Sequence, residues 1–212
     1  MYLGGKSGPI NRLRTRPRLR GIKRLAVKQE GILGMTNNAP FAGVAGARSH
    51  FVSAGANRIH YVTAGKGSRA IVFIHCWAGN LGFWREQVPL LADRARLIFI
   101  DLPGHGRSDK PQTAYTLDFF AGAVLAVLRD ARVDKAVFIG HSMGAAVLCR
   151  VHHQAPEKFA GLVSVDGLLR RPPGTTAETR ALVGPFGSPQ YLAHARGFIS
   201  TFFSGSRRRG IA

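Results

Sequence analysis

Ser142 stands at the centre of Gly140-His141-Ser142-Met143-Gly144, a G-x-S-x-G arrangement. A serine hydroxyl in that position can attack an electrophilic carbonyl carbon, provided the backbone presents it. The apolar run Ala136-Val137-Phe138-Ile139 precedes the pattern and the small-residue stretch Ala145-Ala146-Val147-Leu148 follows it. Strand, sharp turn, helix is the setting of a nucleophile elbow. Such a turn strains the serine backbone and leaves no room for side chains two residues to either side, hence Gly140 and Gly144. The competing reading of the same residues is a glycine-rich turn whose serine merely caps the helix.

Two upstream segments extend the pattern. His75-Cys76-Trp77-Ala78-Gly79-Asn80 follows the apolar run Ala70-Ile71-Val72-Phe73-Ile74. Asp101-Leu102-Pro103-Gly104-His105-Gly106-Arg107-Ser108-Asp109 follows Arg96-Leu97-Ile98-Phe99-Ile100. The motifs HCWAGN, DLPGHGRSD and GHSMG, in that order, make residues 50 to 170 resemble the α/β-hydrolase fold family.

The resemblance implies a serine hydrolase that cleaves a small ester, amide or related carbonyl compound through an acyl-enzyme, with no cofactor and no metal. It implies Ser142 as nucleophile, with the backbone N–H groups of Trp77 and Met143 as oxyanion donors. One position departs from the family pattern. Glycine usually follows the loop histidine, and Cys76 stands there. If that position needs positive φ, the cysteine strains the loop and shifts the Trp77 amide.

A serine hydroxyl also needs a histidine to take its proton and a carboxylate to orient that histidine. In this fold the chain order is serine, acid, histidine. The acids after Ser142 are Glu157, Asp166 and Glu178, and the histidines are His152, His153 and His194. His152 and His153 fall in the helix that follows Ser142, about 15 Å along it at roughly 1.5 Å per residue. They read as packing or surface residues. His194 falls in an expected cap helix. Asp166 follows the sixth apolar run, a position some branches of the family use for the acid. Its other reading is a turn residue at the entry to the cap. A ligand-binding or catalytically defective remnant therefore stands beside the hydrolase as the alternative.

The elements that must hold these residues are legible from their periods. Phe51-Val52 and Ile59 to Val62 read as a hairpin, and 70–75, 96–101, 135–140 and 159–165 as further strands. Helices are expected over 83–92, from Thr116 or Asp118 onward with Phe119, Phe120, Val124, Val127 and Leu128 buried, and from Ser142 to Gln154. Strands that are continuous apolar runs alternating with helices predict an α/β fold, a mostly parallel, doubly wound sheet of about six strands with the start of a helical cap. His75, Asp101, Ser142 and Asp166 all fall at the carboxyl ends of strands, the edge where such sheets bind ligands. Beyond Asp166, Ala177 to Val183 and Gln190 to Phe203 read as helices, and no further strand is legible. The chain reads as the first two-thirds of the fold.

Composition sets the outer limits. Of 212 residues 45% are apolar, enough for one domain with a sizeable core. Two cysteines make no disulfide framework. There is neither an apolar signal region nor an apolar run long enough to span a bilayer, so the expectation is a cytoplasmic protein. Net charge is +19, and residues 1 to 50 hold ten Lys or Arg against Glu30 alone. Residues 1–48 are read as a disordered basic extension and 49–212 as the hydrolase domain, with its core over 50–167 and a partial cap and tail over 168–212. Tyr2 and Phe41 are the only aromatic residues before residue 50, so base stacking has little support. The expected partner is a small carbonyl substrate and no specific nucleic acid.

Overall fold

The computed structural model describes residues 41, 44 and 46–167, with isolated positions between 177 and 197. Apart from those positions, the helices expected over 177–183 and 190–203, and residues 1–40, lie outside the described residues. The strands are β1 (Arg48–Ala54), β2 (Asn57–Gly65), β3 (Ala70–Ile74), β4 (Arg96–Ile100), β5 (Ala136–His141) and β6 (Phe159–Val165). They form one sheet in the order β1-β2-β4-β3-β5-β6. β3 runs parallel to both β4 and β5, and β6 parallel to β5, while the β1/β2 and β2/β4 pairings are antiparallel. The expected mostly parallel, six-stranded α/β sheet is what forms.

Two cores explain why the central strands are unbroken apolar runs. Successive side chains of a strand point to opposite faces. Val72, Ile74, Ile98, Ile100 and Phe138 therefore meet α2 (Leu117–Asp130) and α3 (Met143–Gln154) on one face. Phe73, Leu97 and Phe99 meet Leu81, Trp84 and Val88 on the other. The Phe73 and Phe99 rings stack at 4.7 Å between centroids. Burying a phenylalanine this completely is worth about 1.5–3 kcal/mol.

Local signals set the helix ends. The Thr116 hydroxyl accepts the Phe119 N–H at 3.1 Å and opens α2. Within it Phe120, Val124, Val127 and Leu128 are buried, and Phe119 is half-buried. α3 ends at Gln154, two residues before Pro156. The helix expected over 83–92 takes a different form. Leu81–Gln87 is 3-10 helix, started by the Asn80 side chain on the Gly82 N–H, and only Val88–Leu91 is α-helix, α1. Gly82 favours no helix, and Pro89 offers no N–H to a longer α-helical ladder.

Phe41 is buried, its ring tilted against that of Phe99 with the centroids 4.7 Å apart, and it sits with Val44 and Ala47 against the second core. The compact unit that contains every described residue begins at Asn37. The face formed by Val62, Phe73 and Phe99 needs an apolar cover, and this short segment supplies part of it. Among the described residues, no helix is long and apolar enough to cross a membrane.

Candidate active site

Ser142 has φ 51 and ψ −114 and lies exposed between β5 and α3. That backbone is sterically costly for any residue but glycine, on the order of 1–3 kcal/mol. The reason it persists is visible on both sides. A Cβ on Gly140 would fall 2.7 Å from the Ala145 nitrogen, and one on Gly144 would fall 2.5 Å from the Ile74 carbonyl oxygen and 2.8 Å from that of His75. The turn is thus pressed against the end of β3, and only glycine fits. The Ser142 N–H donates to the Val165 carbonyl at 2.9 Å, which fastens the turn to β6 as well. Ser142 occupies the cap position of α3 but makes no side-chain hydrogen bond into the helix. The capping reading therefore does not account for its hydroxyl.

Met143 is the first residue of α3, where an N–H has no intrahelical acceptor. Its amide stands at the positive end of the helix dipole, beside the Ser142 backbone. The second amide considered for an oxyanion, Trp77, lies on the loop after β3 with its side chain 42% exposed.

A buried histidine shapes that loop. His75 is fully buried, and its Nε2 accepts the Leu102 N–H at 3.1 Å. The proton therefore sits on Nδ1, which donates to the Cys76 carbonyl at 2.8 Å. The same carbonyl accepts the Gly79 N–H at 3.1 Å. Burial drives the His75 pKa down to about 4, so the ring is neutral in ordinary conditions, as these bonds require. The strain expected at Cys76 is absent from that residue. The left-handed position is Ala78, with φ 56, so the turn bends two residues later than expected. Burial pushes the Cys76 thiol up, away from the thiolate form.

Asp101 does not face the open edge with Ser142. It is 1% exposed and accepts from the Leu81 N–H at 2.8 Å, the Arg107 N–H at 3.0 Å and His60 Nδ1 at 2.7 Å. Burial alone would raise its pKa, but these donors outweigh it and hold the carboxyl below its ordinary range. Ser108 joins the same knot, donating to the Asp101 carbonyl at 2.6 Å and accepting the His60 N–H at 2.8 Å. The DLPGHGRSD segment thus braces β2 and β4 under the site. His75 and Asp101, read from sequence as part of one polar edge, turn inward as its supports.

Asp166 is exposed, at φ 48, directly after Val165 and so beside the turn that holds Ser142. Among the described residues, no hydrogen bond joins the Ser142 hydroxyl to a carboxylate or a histidine. His152 and His153 are exposed on α3, and His152 packs edge-on against Phe159 at 4.9 Å. His194 lies half-buried and its N–H donates to the Gln190 carbonyl. Sequence reasoning gave no role to Phe83, which stacks on His141 at 5.1 Å and is 48% exposed. It puts an exposed aromatic ring against the residue that precedes Ser142, which no sequence period signals.

Residues 69–209 match the family model described as alpha/beta hydrolase fold. The chain belongs to that family. Among its curated relatives, the pimeloyl-[acyl-carrier protein] methyl ester esterase of Methylococcus capsulatus is 37% identical over 152 residues, 69% of this chain and 53% of that protein. The soluble epoxide hydrolase of Corynebacterium sp. strain C12 is 38% identical over 90 residues, 42% of this chain and 31% of that protein. A solved structure of Est816, described as an N-acyl homoserine lactone degrading enzyme, superposes with a TM-score of 0.61 at 30% identity, covering 71% of this chain and 56% of that one. This alpha/beta hydrolase chain spans about half or less of the length of these curated relatives.

Proposed function

We propose that this alpha/beta hydrolase chain acts on a small ester or related carbonyl compound through an acyl-enzyme on Ser142. The observation that carries the reading is the exposed Ser142 on a left-handed backbone, its side chain making no bond into the helix it heads. In this reading the Ser142 oxygen bonds the substrate carbonyl carbon, and the hydroxyl proton leaves on the departing alcohol as its C–O bond breaks. The Met143 and Trp77 amides receive the oxyanion, the alcohol leaves, and water releases the acid. Asp166, beside the turn, is the proposed acid of the site.

The relatives named above include both an esterase and an epoxide hydrolase, and chemistry separates the two for a serine. Opening an epoxide with a serine hydroxyl leaves an ether, which water does not cleave. Attack on an ester leaves an acyl group, which water removes. The residue type at position 142 thus favours the carbonyl substrate.

The test is exposure of the full chain to a short-chain nitrophenyl ester, with mass spectrometry of the peptides. Acylation on the Ser142 peptide that disappears in Ser142→Ala supports the reading. A second reading, ligand binding without turnover, is favoured by the lack of a histidine bonded to Ser142 among the described residues. It predicts an unmodified Ser142 peptide and saturable binding of the same ester.

A further inference from the structure

A serine, a histidine and an aspartate are connected elsewhere in the molecule. Ser49 Oγ lies 2.8 Å from His60 Nε2, and His60 Nδ1 lies 2.7 Å from Asp101 Oδ2. The protonation pattern follows from the partners. Asp101 also accepts two backbone N–H groups, and its carboxyl is held ionised, so it receives a proton from Nδ1. Nε2 is then the lone-pair side of the ring, and the Ser49 hydroxyl donates to it. This is the order nucleophile, base, orienting acid, with both links at hydrogen-bond length.

The placement fits a reagent from solvent. His60 and Asp101 are each 1% exposed, whereas Ser49 is exposed on β1. Phe51 pairs with His60 across the β1/β2 ladder, and Ser49 precedes it by two residues on the same face. Arg107 Nη1 donates to Ser49 Oγ at 3.3 Å, so a cation already stands beside the oxygen that attacks. The Arg58 and Arg107 guanidinium groups lie over the Phe51 ring at 4.6 and 5.2 Å from its centroid. An aromatic face flanked by two arginines suits an ester that carries an anionic group.

We propose that Ser49, His60 and Asp101 form a second nucleophilic site, separate from Ser142, that takes an activated carboxylic or phosphoric ester bearing negative charge. The Ser49 oxygen bonds the acyl carbon or the phosphorus. Its proton passes to His60 Nε2, and Asp101 pairs with the resulting imidazolium. The leaving group departs with the bonding electrons and takes that proton. Water then adds to the acyl or phosphoryl group and frees the serine.

The experiment uses the full chain carrying Ser142→Ala, treated with a fluorophosphonate, whose P–F bond breaks as the serine–phosphorus bond forms. Peptide mapping compares Ser49 with Ser53, which is exposed on the same strand. The expected result is Ser49 labelling on the order of a hundredfold faster than Ser53, the scale of a positioned base. The added Ser49→Ala change removes that label, Arg107→Gln slows it several-fold, and unfolding in urea abolishes it. Equal labelling of Ser49 and Ser53, or a Ser49 label that survives unfolding, overturns the proposal. Because Ser142 is absent from this protein, failure here leaves the reading of Ser142 untouched, and the reverse also holds.

Discussion

The backbone N–H of Ser142 donates to the carbonyl oxygen of Val165 at 2.9 Å, so the turn after β5 is held by the last residue of β6. Two neighbouring strands thereby share one backbone constraint, and Asp166 inherits its position from it. The turn is held on its other side by the close seat of Gly144 on the end of β3.

Gly144→Ala tests that seat. The added Cβ would lie 2.5 Å from the Ile74 carbonyl oxygen, a backbone atom that cannot swing aside. Overpacking of this kind costs about 1–3 kcal/mol. Urea unfolding is expected to show that loss, with acylation of Ser142 falling in parallel. An unchanged midpoint would mean that the turn is not pressed on β3.

Ser142→Gly is expected to do the opposite for stability. Glycine accepts φ 51 without a steric cost, and no side-chain bond into α3 is lost. The variant should gain about 1 kcal/mol in chemical unfolding while losing ester acylation at this position. A destabilised variant would assign the hydroxyl a structural bond.

Asp101→Asn replaces a group that only accepts with one that also donates. Three donors converge on that carboxylate, from Leu81, Arg107 and His60. At least one must then face the new amide N–H₂. Breaking a buried charged partner costs about 3–5 kcal/mol, readable as a shift in the denaturant midpoint. A cost near zero would contradict the bracing role assigned here to DLPGHGRSD.

Stability should fall as the solution is acidified from pH 6.5 toward about 4, the interval between the ordinary value of His75 and its value in the fold. In that window the unfolded chain binds the proton and the folded chain does not, so the unfolded state gains ground. Burial acts on His105 in the same direction. Asp101, held below its ordinary value, adds a further loss at still lower pH, where the unfolded chain takes up a proton that the folded carboxyl refuses. Urea midpoints measured at steps through the window check the slope, and a flat profile would contradict a neutral, buried His75.

The strands were legible because each central one is buried on both faces and so appears as an uninterrupted apolar run. Phe159 to Val165 was read to the residue, and of the two starts marked by capping chemistry, Thr116 and Asp118, it is Thr116 that caps α2. The Gly82 and Pro89 interruptions were visible too, but their effect on the 83–92 helix depends on how the segment packs over β3 and β4. The strained turn at Ser142 was legible because strain writes itself into sequence as flanking glycines. His60 left only a faint trace, a titratable residue within Ile59-His60-Tyr61-Val62. A histidine buried in such a run needs a partner. That partner is Asp101, 41 residues away, and no local period can report such a distance. Phe41 was hidden for a similar reason, since a single aromatic in a glycine- and arginine-rich stretch has no repeat to mark it.

With β3 between β4 and β5, the loops that carry Trp77, the Asp101 knot and Ser142 issue from three adjacent strands although they are far apart along the chain. None of them acquires its final shape from its own neighbours in sequence. During folding, the strained turn has nothing to press against until the middle strand is flanked on both sides. Reactivity at position 142 should therefore arrive late and all at once, as a marker of completed assembly, and a partly zipped sheet should have none.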